Sequence, residues 1–187
     1  MGVGRLNHAV LYVADLTRSA LFYEDVLGFE RLPGEFPGGV FLRAAGSAND
    51  HDLGLFQART AHARGGASVG LYHMAWEADT LAELSRLRGR LATAGALTGA
   101  ANHGATKSLY GRDPDGIEFE VCWLVPDALL AGELVPGMPP TRPLDLAAEI
   151  QRYGATTPGG PRADRALLDR LLAASRTRTA REVWPVP

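Results

Sequence analysis

The chain has 187 residues, 46% of them hydrophobic, and a formal net charge of −2. Such a balance leaves enough apolar material for a core and argues against a phosphate-rich partner, because nucleic-acid binding needs a basic surface. The single cysteine, Cys122, excludes an internal disulfide and a cysteine-based zinc cluster. The N-terminal stretch lacks the pattern of a signal peptide, and no apolar run is long enough for a bilayer, so a soluble cytoplasmic protein is expected. Lysine occurs once, at Lys107, and its scarcity reads as coding bias.

Residues 6–13, LNHAVLYV, form an apolar, β-branched strand pattern. Asp15 is an expected N-cap for a helix with Leu16, Ala20, Tyr23 and Leu27 near helical spacing, and Gly28 supplies its stop. Three short strands are expected next, at 29–32, 40–44 and 53–57, separated by Gly and Pro clusters. The order then restarts. A strand at 71–77 leads to an expected N-cap at Asp79 and a helix over 80–94, with Leu81, Leu84, Leu87 and Leu91 on one face and Gly95 at its end. Strands are expected at 96–100, 108–110 and 117–124.

A strand–helix–three-strand unit is therefore written twice. The predicted class is α+β: two βαβββ modules, about 4–62 and 66–125, in a domain of residues 1–125. Beyond it, residues 126–187 read as a Pro/Gly-rich linker and a C-terminal helical arm, with helices at 144–153 and 163–175.

His8 and His73 occupy matching places in the two units, seven and six residues before the acidic residue of each helix start. Alone, each is more simply a core histidine; at matched positions the two can meet at an internal axis. Glu120 follows the turn Asp113-Pro114-Asp115-Gly116 in the strand 117–124, where Ile117, Phe119, Val121 and Trp123 share one face. A carboxylate in so apolar a strand is costly unless paired or metal-bound. Two imidazoles and one carboxylate suit a divalent ion with open coordination positions.

The paired units, with His8, His73 and the DPDG turn leading to Glu120, resemble the vicinal oxygen chelate superfamily, which includes glyoxalase I, extradiol ring-cleavage dioxygenases, fosfomycin-resistance enzymes and bleomycin-binding proteins. The resemblance covers about residues 4–125. It is nearest to single-domain extradiol catechol dioxygenases, because the segment NHGATKSLYGRDPDG carries His103 and Tyr110 ahead of Glu120, and HDLGLFQ carries His51. The resemblance implies Fe(II) or Mn(II) on His8, His73 and Glu120, a catechol-type substrate with O2, His51 as acid/base residue, and His103 and Tyr110 as substrate contacts. It also implies a homodimer. His62, in the loop after His51, is an alternative to His51. A glyoxalase-type isomerase, with Gln57 as the nearest fourth ligand, and a non-catalytic antibiotic-sequestering protein are the competing readings. Arg43, Arg59 and Arg112 read as surface charges, and Cys122 as a small strand residue rather than a nucleophile.

Overall fold

A computed structural model describes residues 2–34, 36–60, 69–135, 137–160 and 164–176. His62 lies outside the described residues.

The first half folds as β1 (Ala9–Val13), α1 (Leu16–Phe22), a π-helical turn (Tyr23–Leu27), β2 (Phe29–Arg31), β3 (Gly39–Ala44) and β4 (Leu53–Gln57). The second repeats the order with β5 (His73–Glu77), α2 (Leu81–Thr93), β6 (Leu97–Asn102), β7 (Thr106–Arg112) and β8 (Glu118–Leu124). Each half makes its own sheet. The strand orders are β1-β4-β3-β2 and β5-β8-β7-β6, and in both the first and last strands of the unit run parallel while the others pair antiparallel. The predicted α+β class and the twofold written order are what the chain adopts.

The local signals explain the element ends. Asp15 caps α1 by accepting from the Arg18 N–H at 3.0 Å. Gly28, at φ 81°, ends the helical run in a left-handed conformation that a side chain would resist. The cap of α2 is Thr80 rather than the expected Asp79: its hydroxyl accepts from the Glu83 N–H at 3.1 Å. The backbone of Thr80 is extended while helical dihedrals begin at Leu81, so the hydroxyl one residue later is the oxygen in reach. The strand of the first unit starts at Ala9, so His8 stands just ahead of it rather than within it.

Each sheet buries one face against the helices. Leu81, Leu84, Leu87 and Leu91 of α2 pack with Leu109, Phe119, Val121 and Trp123 of the second sheet. Leu11, Val13, Leu42, Leu53 and Leu55 of the first sheet pack with Ala20 and Tyr23 of the first helical run. Alternation leaves the opposite faces open. Val10 and Tyr12 of β1 are exposed, as are Leu71 and Tyr72 just before β5.

The turn after β7 joins the two halves. Asp113 Oδ1 accepts from the N–H groups of Asp115 and Ile117, while Oδ2 accepts from the buried hydroxyl of Tyr23 at 3.2 Å. Asp115 reaches the other way, to the Ala14 N–H at 2.9 Å and to Arg18 at 2.6 Å. The DPDG sequence is thus a clamp between the second sheet and the start of α1. Burial of Asp113 raises its carboxyl above the usual range, against the hydrogen bonds that lower it.

Past β8 the stretch read as a linker carries secondary structure of its own, and helices follow at the two places expected. A 3-10 turn (Asp127–Gly132) leads to the two-residue strand β9 (Arg142–Pro143), which extends the second sheet beside β6, then to α3 (Leu146–Tyr153) and α4 (Arg165–Arg176). Leu146, Ile150, Leu168 and Leu171 pack against the core of the second half, so burial holds the arm to the domain.

Candidate functional site

Three strands of the second sheet carry one cluster. His73 opens β5, and its Nε2 stands 3.2 Å from Glu120 Oε2 on β8. Tyr110 on β7 is directly opposite Glu120 in the antiparallel ladder, and opposed residues share a face. The Tyr110 and His73 rings are 6.1 Å apart between centroids. His103, in the turn between β6 and β7, completes the group: its Nε2 is 2.7 Å from the Tyr110 hydroxyl. Burial and the neighbouring Glu120 charge push the Tyr110 hydroxyl up to about 12. The phenol therefore stays protonated at neutral pH and can donate or relay a proton.

His8 and His51 form a second group at the first sheet. Their ring centroids lie 4.4 Å apart, and Phe41 meets the His51 ring edge at 4.9 Å. His8 Nδ1 is 2.8 Å from Asn7 Oδ1, and His51 Nδ1 is 3.2 Å from Asp50. The six predicted residues thus come together as four and two. Among the described residues, no three His, Cys, Asp or Glu side chains gather closely enough to hold a metal.

The donors on the second sheet nonetheless suit an ion. Nδ1 of His73 is buried without a hydrogen-bond partner, and its other ring nitrogen faces a carboxylate. An imidazole–carboxylate pair with unused donor capacity can supply two ligands of a divalent site. Gln57 does not add another. Its Oε1 accepts from the Leu16 N–H at 3.1 Å and its Nε2 donates to the Ala14 carbonyl at 2.6 Å, which commits the side chain to the corner between β1 and α1. A cavity of about 440 Å³ opens along the β2–β3 hairpin, lined by Arg31, Leu32, Phe36 and Phe41 among others, and it includes none of the six predicted residues. Arg112 pairs with Glu118 at 2.6 Å on the surface, and Cys122 is buried.

Sequence reasoning missed a buried charge cluster beside this site. Lys107 on β7 is fully buried, 2.6 Å from Glu133 and 3.5 Å from Glu149. Glu133 also receives Arg142, Arg152 and the Tyr153 hydroxyl. Burial opposes ionisation of Glu133, but Lys107, Tyr153 and Arg152 outweigh it and hold the carboxyl below its usual range. The available signal was the one lysine of an arginine-rich chain, next to the strand expected over 108–110.

The profile of the Glyoxalase/Bleomycin resistance protein/Dioxygenase superfamily matches residues 5–121. Among solved structures, a glyoxylase/bleomycin resistance protein/dioxygenase domain from Frankia sp. aligns at 24% identity and TM-score 0.53, over 65% of this chain and 98% of that one. A glyoxalase/dioxygenase from Nostoc punctiforme aligns at 18% identity and TM-score 0.54, over 63% and 89%. The fosfomycin resistance protein FosX from Listeria monocytogenes aligns at 18% identity and TM-score 0.50, over 65% and 93%. These likenesses concern the fold. A search of curated protein sequences gave no significant match. With the profile spanning more than half its length, the chain belongs to the glyoxalase/bleomycin resistance protein/dioxygenase superfamily.

Proposed function

We propose that the protein is a divalent-metal enzyme that opens the ring of a catechol-type substrate with O2, next to the diol. The superfamily usually binds a divalent metal. The observation that carries the reading is the shared face of β5, β7 and β8, where the His73–Glu120 pair and the Tyr110–His103 pair adjoin. Fe(II) or Mn(II) is the proposed ion, with His73, Glu120 and His8 as its ligands. When bound, it would supply Lewis acidity toward the two diol oxygens and a position for O2.

The chain's own residues have separable tasks in this reading. His73 and Glu120 contribute one neutral and one anionic donor, so a divalent ion would keep residual positive charge. Tyr110 binds a substrate oxygen, and His103 exchanges the proton through the 2.7 Å contact. His51, flanked by the Phe41 ring and with its own ring 4.4 Å from that of His8, is the acid/base residue and acts in the same site as His8. The commitment of Gln57 to the β1–α1 corner weighs against the glyoxalase-type alternative, which would use it as a ligand.

His8 groups with His51, and among the described residues it joins no three-residue ligand group; Val10 and Tyr12, which follow it in β1, are exposed. In our reading His8 serves the site of a second copy, so the protein works as a homodimer with each site shared between subunits.

The test is metal content after anaerobic Fe(II) reconstitution of wild type and His73→Ala, followed by oxygen uptake with a panel of catechols. The expected result is about one metal per chain and oxygen consumption with some catechol, both lost in the variant. Metal binding without oxygen uptake would move the reading to an isomerase or lyase, and absence of metal to a binding protein. Mixing inactive His8→Ala and His73→Ala proteins tests the shared site. Subunit exchange restores roughly one quarter of wild-type activity if ligands come from two copies, and none if they come from one.

A further inference from the structure

We propose that the C-terminal arm is a positioning device for His103: it fixes which imidazole nitrogen carries the proton. The inference rests on the reading of His103 and Tyr110 as the substrate-facing pair.

The arm reaches His103 with two groups. The Pro140 carbonyl oxygen is 3.4 Å from His103 Nδ1, and the Thr141 hydroxyl is 3.2 Å from the same nitrogen. A carbonyl oxygen can only accept, whereas the hydroxyl can accept or donate, so the Pro140 contact decides for the tautomer with hydrogen on Nδ1, and the Thr141 hydroxyl then accepts from the same N–H. Nε2 is then an acceptor, and the Tyr110 hydroxyl must donate to it across 2.7 Å. With its hydrogen directed toward His103, the Tyr110 oxygen presents lone pairs to the open face. That arrangement receives a proton from a substrate hydroxyl and passes the phenolic proton to His103 Nε2. The other tautomer would make Nε2 a donor to Tyr110 and block the transfer in that direction.

The arm is held rigidly enough to impose this. Thr141 is followed by β9, where Arg142 pairs with Asn102, the residue before His103. The Asn102 side chain accepts from Lys107 at 3.0 Å and Arg142 at 3.2 Å, and donates to Glu149 at 2.8 Å. The Lys107–Glu133 pair lies behind it, fully buried. One polar network thus fastens the arm to the strand end that carries His103. Lys107 and Glu133 act through the arm, and Pro140 and Thr141 act on the ring.

The test uses full-length protein labelled with 15N at histidine. Wild type should show His103 as the Nδ1–H tautomer. In Glu133→Gln, which keeps the side-chain shape but loosens the latch, Nε2–H should become populated. Thr141→Val, at an exposed position, should give a smaller change in the same direction, and Thr141→Ser should restore the wild-type signal. Where a catechol substrate is turned over, Glu133→Gln should lower kcat about tenfold or more with KM little changed and metal content intact. A wild-type signal with the proton on Nε2, or one unchanged in both Glu133→Gln and Thr141→Val, overturns the proposal. The tautomer measurement needs no substrate, so it stands or falls separately from the catechol reading.

Discussion

Replacing Glu133 with leucine tests whether the buried cluster anchors the arm. The side chain of Lys107 is fully buried and that of Glu133 nearly so, at 0% and 1% exposure, so neither can turn to water without displacing the arm. In Glu133→Leu, the ammonium keeps Asn102 Oδ1 at 3.0 Å, the Gly104 carbonyl at 3.2 Å and the Glu149 carboxylate at 3.5 Å. It loses the 2.6 Å carboxylate, while Arg142 and Arg152, partly exposed, can extend into solvent. Breaking a buried pair by removing one partner costs about 3–5 kcal/mol. The surviving Glu149 contact puts this case near the lower end, about 3 kcal/mol. For a chain of this size that is a melting-temperature drop of roughly 6–12 °C. The double variant Lys107→Met with Glu133→Leu removes the closest pair but leaves the Glu149 carboxylate without its cation, so it should recover part of the loss and be more stable than the summed single losses predict. Urea unfolding of the four proteins of this cycle measures both quantities. A single-variant loss below about 1 kcal/mol, or a double variant as unstable as the sum of the singles, would refute the argument.

Acid should release the same latch. Because the folded-state carboxyl of Glu133 is held below its usual range, its stabilisation is complete above the unfolded value and is lost as pH falls through the folded one. The expected observation is faster hydrogen exchange in α3 and β9 below about pH 4 in wild type, with a weaker pH response in Glu133→Gln. Gly111→Ala should cost about 1–3 kcal/mol in chemical denaturation, since a Cβ there would lie 2.5 Å from the Phe119 ring and 3.1 Å from the Ala96 carbonyl. Asp113→Ala should cost about 3 kcal/mol by the same assay, as it frees two backbone donors and strands the buried Tyr23 hydroxyl.

The linear sequence determined the elements and their repetition. Alternating apolar residues, the Asp15 cap and the Gly28 and Gly95 stops are local features, and local sterics and hydrogen bonding suffice to express them. The face of β8 was legible for the same reason: Phe119, Val121 and Trp123 turned inward, and Glu118 and Glu120 outward, follow from the pleat. Whether Tyr110 faces Glu120 was not legible, because the DPDG turn lies between them and its register sets the pairing. The grouping of the histidines also required the tertiary structure. Matched positions in a repeat fix where His8 and His73 sit in their own units, but only the packing of those units decides which side chains become neighbours, and here His8 joins His51 while His73 joins Glu120. The charge cluster is the furthest from the sequence. Lys107 and Glu133 are 26 residues apart on elements with no common period, and a lysine in a strand reads as solvated until the arm closes over it and burial makes a partner obligatory.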